Sequence, residues 1–284
     1  IWNAAKFVHL YTDELPSYDI ENIACTENKW IVSKFNDTLL EFNDLFEKYK
    51  ISDAFKLLYN FLWSELFDWY FEFSKNLFVD DTHKAETQAV LRFVFLESLK
   101  LLNPAMPHIT EEIWSTFNKN YLIDNEWPTE IKIDSDINDE IESLKEIIIK
   151  IRNFKSNYNL KNSLEIELNS TTPYPNWFVN QLENTANVNI SDKKEDGIHI
   201  SFQSNHYSFS LLANKYIDID KETKRLYKKI DELNKSLDIS NKRLNNDKFI
   251  QNAKQELIDQ ENQNVQNINS QIDSIKSTLN SLEN

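Results

Sequence analysis

The chain has 284 residues, a formal net charge of −15 and a 40% share of hydrophobic residues, enough for one large or two modest domains with a real core. Glycine occurs once, at Gly197, against about 7% in an ordinary chain, which excludes Gly-rich phosphate loops and the P-loop and Rossmann sites built on them. A single cysteine, Cys25, excludes an internal disulfide and a Cys-based zinc site, and a uniformly acidic surface repels nucleic acid, so RNA binding requires a local basic track.

No apolar run approaches the ~18 residues of a membrane span, so neither a membrane span nor a signal peptide is expected. The sequence starts at Ile1, mid-pattern and without an initiator Met, and reads as a piece of something longer.

Residues 1–11 read as the end of a helix. Residues 12–26 are polar, contain Pro16 and read as a loop. Thr26 is a candidate cap for a helix to about Tyr49, because Ile31, Phe35, Leu39, Phe42, Phe46 and Tyr49 recur at helical spacing. A short connection follows, with Ser52-Asp53 as the next candidate cap. The segment Tyr59–Lys75, YNFLWSELFDWYFEFSK, is then apolar almost all round as a helix. Its exceptions, Glu65, Asp68, Glu72 and Lys75, fall on one line at α-helical spacing. A helix of this kind is expected to be covered on most sides, so it is read as the centre of a bundle, with Trp63, Trp69 and Tyr70 in the core. Glu65, Asp68 and Glu72 are read as structural, since no histidine or metal cluster accompanies them.

The next helix spans about Thr82–Leu102 and stops at Asn103-Pro104. Pro107 opens a short helix to about Phe117, and a helix from about Asp136 to Asn157 follows, striped by Ile141, Leu144, Ile148 and Ile151. Period-two alternation then marks half-buried strands in Ser163–Ser170, Val188–Ile190, Ile198–Phe202 and Tyr207–Leu211, with one small helix at Trp177–Glu183. In the tail, Leu226, Ile230, Leu233, Leu237 and Leu244 keep four/three spacing, with Ser240 at one seam position. After a polar break, Val265, Ile268, Ile272, Ile275, Leu279 and Leu282 form a heptad seam. Two such helices, each about 40 Å long at ~1.5 Å per residue, fold back as an antiparallel hairpin. The fold class is mainly α: a helical bundle (1–133), a helix plus small α/β junction (134–217) and a coiled-coil hairpin (218–284).

Several stretches resemble the valyl-tRNA synthetase family. Trp63, Asp68, Trp69, Tyr70, Glu72 and Lys75 match its W-x-E/D-x-x-D-W-Y-x-E-x-x-K helix, with Phe67 where the family often has Cys. NPAMPHITEEIW is similar to the segment shared by the valyl, isoleucyl and leucyl enzymes, with Asn103 for the usual His, and Trp127-Pro128 matches the W-P that follows. IRNFKSNYNL resembles a further valyl motif, with Lys155 for its second Arg. In the tail, Leu244, Asn246, Asp247, Phe249, Ile250, Ala253, Leu257 and Glu261 match a segment that the isoleucyl and leucyl enzymes lack.

The resemblance implies an anticodon-binding bundle and a coiled coil that braces the outer corner of tRNA(Val), as part of a cytoplasmic, monomeric enzyme. It implies that the parent uses ATP with Mg in a catalytic domain. The HIGH and KMSKS strings of that domain do not occur in this chain, so no catalytic residue and no cofactor is expected here. In related synthetases the W-N-A-x-R-F helix lies beside the anticodon loop, which makes Trp2, Asn3, Lys6 and Phe7 candidate anticodon contacts. An amide and a cation one turn apart can reach a base edge and a phosphate together. Core roles for Trp2 and Phe7 stay open. Between Lys221 and Glu256 there are ten Lys/Arg against six Asp/Glu, a local inversion of the chain's sign. Lys224, Arg225, Lys228, Arg243 and Lys248 are the candidate backbone contacts; an ordinary solvated coiled-coil face is the alternative. Arg152 and Lys155, at i and i+3, suit either tRNA backbone or acids across a junction. A rival from another class is a helical scaffold whose tail pairs with a protein partner; a nearer one is an isoleucyl- or leucyl-type synthetase.

Overall fold

The computed structural model describes the chain except for residues 14–17, 80, 134–137, 169–173, 192–195, 205–206, 247–254 and 284. Packing groups Ile1–Glu146 with Tyr174–Ala186 in one unit, and Ile147–Pro173 with Asn187–Asn284 in a second.

The first unit is a helical bundle. It holds α1 (Trp2–Thr12), α2 (Thr26–Glu47), α3 (Ile51–Asn60), α4 (Phe71–Leu77), α5 (Asp81–Leu102) and α6 (Pro107–Phe117). A π-helical stretch, Phe61–Tyr70, joins α3 to α4. The core lies where α2, α5 and this long middle helix meet: Trp30, Phe35, Leu39 and Phe42 face Leu58, Leu66, Tyr70 and Phe73, with Val90, Val94 and Phe95 closing the third side. The expected caps differ in detail. The α2 helix starts at Thr26 with Cys25 at the cap position, and α3 starts at Ile51 after Tyr49 in the left-handed region; neither cap residue makes a side-chain cap bond.

Two expectations for the middle helix are corrected. Tyr59 and Trp63 are 53% and 46% exposed, and Trp69 is half-buried, while Tyr70 is in the core. The turns of the π-helical stretch are wider than the 3.6 residues of an α-helix, so positions assigned by α spacing rotate. Glu65 is directed to Lys145 at 2.8 Å, whereas Glu72 pairs with Lys75 at 2.6 Å. Lys145 is a buried cation satisfied by Glu65 and Glu142 and seated over the rings of Trp30 and Trp69.

The first residues of α7 (Asn138–Asn157) belong to the bundle unit, and the rest to the second. The second unit has a four-stranded sheet of order β2-β1-β4-β3, from β1 (Leu164–Leu168), β2 (Val188–Ser191), β3 (His199–Gln203) and β4 (Ser208–Leu212). The β1–β2 pair is parallel and the others antiparallel. Parallel pairing needs a crossover longer than a hairpin, and it contains α8 (Asn176–Ala186). The small helix expected at 177–183 is thus present but packs in the bundle unit, where Gln181 donates to Glu27 and accepts from Asn76.

The tail forms α9 (Ile219–Leu244) and α10 (Gln255–Glu283), packed against each other as the hairpin the heptads require. Its base is rooted in the sheet: Leu226, Ile230, Leu279 and Leu282 cluster with Ala213, flanked by Ile198 and Ile200. No helix among the described residues is long and apolar enough to cross a membrane.

Candidate nucleic-acid interface

The α1 helix buries Ala4, Ala5, Val8 and Thr12, so its opposite face presents Asn3, Lys6 and Trp2, which is 43% exposed. Phe7 lies at the edge of the buried face, its ring stacked on Phe71 at 4.3 Å and 12°. From that pair a line of rings runs both ways. Phe67 follows Phe71 at 5.3 Å, Trp63 follows at 5.6 Å, and Tyr59 stacks on Trp63 at 4.9 Å and 14°. In the other direction Tyr11 and Phe78 continue at 4.8 and 4.3 Å. Residues four apart advance beyond one turn of an α-helix and a line of them drifts round it. The wider turns of the π-helical stretch offset that drift, so Tyr59, Trp63, Phe67 and Phe71 stay in register. The result is a partly exposed aromatic ladder that passes, at Phe7, along the helix that carries the exposed Asn3 and Lys6.

The loop before α2 is tied down from α5. Glu86, 4% exposed, accepts from Tyr18 Oη and Ala24 N on one carboxylate oxygen, and from Cys25 N and Asn28 Nδ2 on the other. Burial pushes this carboxyl up, but those hydrogen bonds outweigh it and hold it below its ordinary value. Tyr70 Oη donates to Asn28, which links the anchor to the middle helix. The Cys25 thiol donates to buried Glu27 at 3.0 Å, and burial followed by the Glu27 charge raises it far above the usual thiol range. The Glu86 anchor was not evident from sequence, because Glu86 and Cys25 lie 61 positions apart.

On the arm, α9 buries Leu226, Ile230 and Ser240, which sets its heptad register. Opposite that seam lie Lys221, Lys228, Lys235 and Lys242, seven apart, all exposed and without an ion pair to another described residue. They form a ridge with about 10.5 Å between successive lysines at ~1.5 Å per residue. Lys224 is exposed beside it. The equivalent outer positions Gln263 and Ser270 of α10 carry no charge. Of the candidates read from sequence, Lys224 and Lys228 are exposed and make no ion pair among the described residues; Lys221, Lys235 and Lys242 were missed as a line, although heptad numbering alone would have found them.

The remaining candidates have protein partners. Arg225 donates through Nε and Nη2 to Glu222 at 2.7 and 2.6 Å. Glu222, 7% exposed, also accepts from Tyr158 Oη at 2.8 Å. Burial and this hydrogen bond push Tyr158 up to about 12. Arg225 therefore braces the arm's root, as its own pKa, raised chiefly by the bond to Glu222, also indicates. Arg243 faces Glu261 at 3.7 Å. Lys155 donates to the Asn187 carbonyl, and burial lowers its pKa. Arg152 is exposed and has a partner within the protein. Lys248 lies outside the described residues. No group of three His, Cys, Asp or Glu among the described residues could hold a metal ion.

The bundle thus carries an anchored aromatic-and-amide face, and the coiled coil carries a cationic ridge. The model of the anticodon-binding domain of tRNA ligase matches residues 28–170. The chain belongs to that family of tRNA ligases. Its tail narrows the assignment: residues 218–283 match the valyl tRNA synthetase tRNA binding arm. Relatives named valine--tRNA ligase agree. That of Enterococcus faecalis is 28% identical over 92% of this chain and 32% of its own length. That of Petrotoga mobilis is 30% identical with the same coverage, and that of Fervidobacterium nodosum is 29% identical over 92% of this chain and 31% of its own length. The chain spans about a third of the length of the curated relatives it matches.

Proposed function

We propose that this chain grips tRNA(Val) for a valine--tRNA ligase that attaches valine to the tRNA using ATP. The ATP and its Mg are assigned to the part of that enzyme outside this chain, and the work is placed in the cytoplasm, with the enzyme a monomer. The three modules 1–133, 134–217 and 218–284 then divide the task into anticodon reading, junction and bracing of the tRNA body.

The observation that carries this reading is the all-lysine outer line of α9 in a chain of net charge −15. A ridge of exposed amines suits a phosphate backbone, which is read by charge and position rather than by sequence. The α1 face supplies the complementary half. Phe7 and the rings beside it stack unpaired bases, while Asn3 and Lys6 reach a base edge and a phosphate. Contacts so far from the missing chemistry serve turnover by orienting the acceptor end.

The test is binding of the full chain to tRNA(Val) and to transcripts with altered anticodons. Phe7→Ala should cost about 5- to 150-fold in affinity for tRNA(Val), the range of one base–aromatic stack, and should flatten the preference for its anticodon. Lys228→Glu with Lys242→Glu should weaken all transcripts alike. Equal binding of all transcripts by the wild-type chain, unchanged in both variants, would overturn the proposal.

A further inference from the structure

Beside the aromatic ladder, the bundle contains a cleft of about 340 Å³, at the small end of the ~300–1,000 Å³ typical of ligand sites. One wall is α8. Asn176, Asn180 and Asn184 recur at spacings of four along it, all exposed, with Trp177 and Gln181 beside them. Asn76 from α4, His83 from α5, and Thr26 and Glu27 from the start of α2 complete the polar lining, with the Glu27 carboxylate already taken by Gln181 and Cys25. Asparagine is a poor helix former, so three on one face of an eleven-residue helix weaken that helix without any core contact in return. Local choices that oppose the fold concentrate where a site needs them.

From this lining we infer that the cleft receives an unpaired nucleobase of the bound RNA. Among the described residues no lysine or arginine lines it, which does not suit phosphate. Amides offer a donor and an acceptor each, which suits the edge of a neutral heterocycle, and an indole and an imidazole suit its face. Gln181 is already committed at the back of the cleft: it donates to Glu27 and the Phe73 carbonyl and accepts from Asn76, which fixes that wall before any ligand arrives. The free specificity therefore rests with Asn180, whose side chain is exposed, and with Trp177. The cleft is also reachable from the proposed RNA face, because Leu77 lines it and the next residue, Phe78, ends the aromatic ladder. A base splayed out of a loop resting on the ladder enters next to it.

This inference rests on the RNA-binding reading, and the test separates the two. Anticodon stem-loops carrying 2-aminopurine at one loop position at a time are titrated with the full chain, reading both affinity and fluorescence. One position should be quenched on binding, and Trp177→Leu should restore its emission at saturation while weakening affinity about 5- to 150-fold. Asn180→Leu, an exposed change that does not touch the core, should weaken the same position's binding severalfold and leave the ladder's positions unaffected. Binding in which every quench survives both variants overturns the cleft alone. Failure of the wild-type chain to bind any stem-loop overturns the cleft and the RNA-binding reading together.

Discussion

Replacing Lys221, Lys228, Lys235 and Lys242 together by glutamine removes the ridge without touching the seam of the arm. All four side chains are exposed, opposite buried Leu226, Ile230 and Ser240. Exposed changes of this kind move stability by about ±0.5 kcal/mol each. If each lysine neutralises one phosphate, the slope of log K against log [salt] should flatten by about 2.8 to 3.6, at 0.7–0.9 per contact. At ~0.1 M monovalent salt a slope change of about 3 corresponds to about a thousandfold in affinity, or about 4 kcal/mol. The assay is filter binding of tRNA(Val) over a salt series, with thermal unfolding as the stability control. Arg225→Gln is the internal contrast. Its guanidinium is bound by Glu222, so its loss should leave the salt slope where it was. It should cost about 1–3 kcal/mol at the root of the arm by stranding a buried carboxylate, the lower part of that range fitting the partial exposure of the arginine. A quadruple variant whose slope stays within about 0.7, one contact, of the wild type would refute the ridge as a phosphate track.

Two further outcomes concern the bundle. Glu86→Gln should destabilise the bundle at neutral pH by about 1–3 kcal/mol, because an amide cannot accept all four donors now on the carboxylate. The Glu86 carboxyl is held below its ordinary value of 4.5, so its contribution is present above that value and fades as pH falls through the lower, folded one. The gap between wild type and variant in urea midpoints, followed by tryptophan fluorescence, should therefore narrow on acidification; a gap constant from pH 7 to pH 2 contradicts the linkage. Cys25, buried and bonded to Glu27, should resist a thiol-reactive disulfide reagent in the native protein and react fully in denaturant. Rapid reaction in the native state would show that the loop before α2 opens freely.

Much of the architecture follows from local periodicity. The spacing of apolar residues sets α2, α5 and the two arm helices, because one face of each must leave water, and alternation over four or five residues sets the strands. The line of lysines on α9 is likewise a property of the sequence, since a seven-residue repeat fixes which side chains stand opposite a seam. Tertiary structure decided the rest. The π-helical turns at Phe61–Tyr70 move Trp63 from the expected core to the surface and align it with Tyr59 and Phe67, a shift that α spacing cannot express. Packing alone places α8 in the bundle unit, although the strands it connects belong to the second. Arg225 and Lys228 are indistinguishable by charge in the sequence, yet Arg225 is bound by the nearly buried Glu222 and Lys228 stands open to solvent. The physical reason is common to all three: helix and strand formation depend on neighbours within a few residues, whereas the direction a side chain faces depends on partners brought from far along the chain.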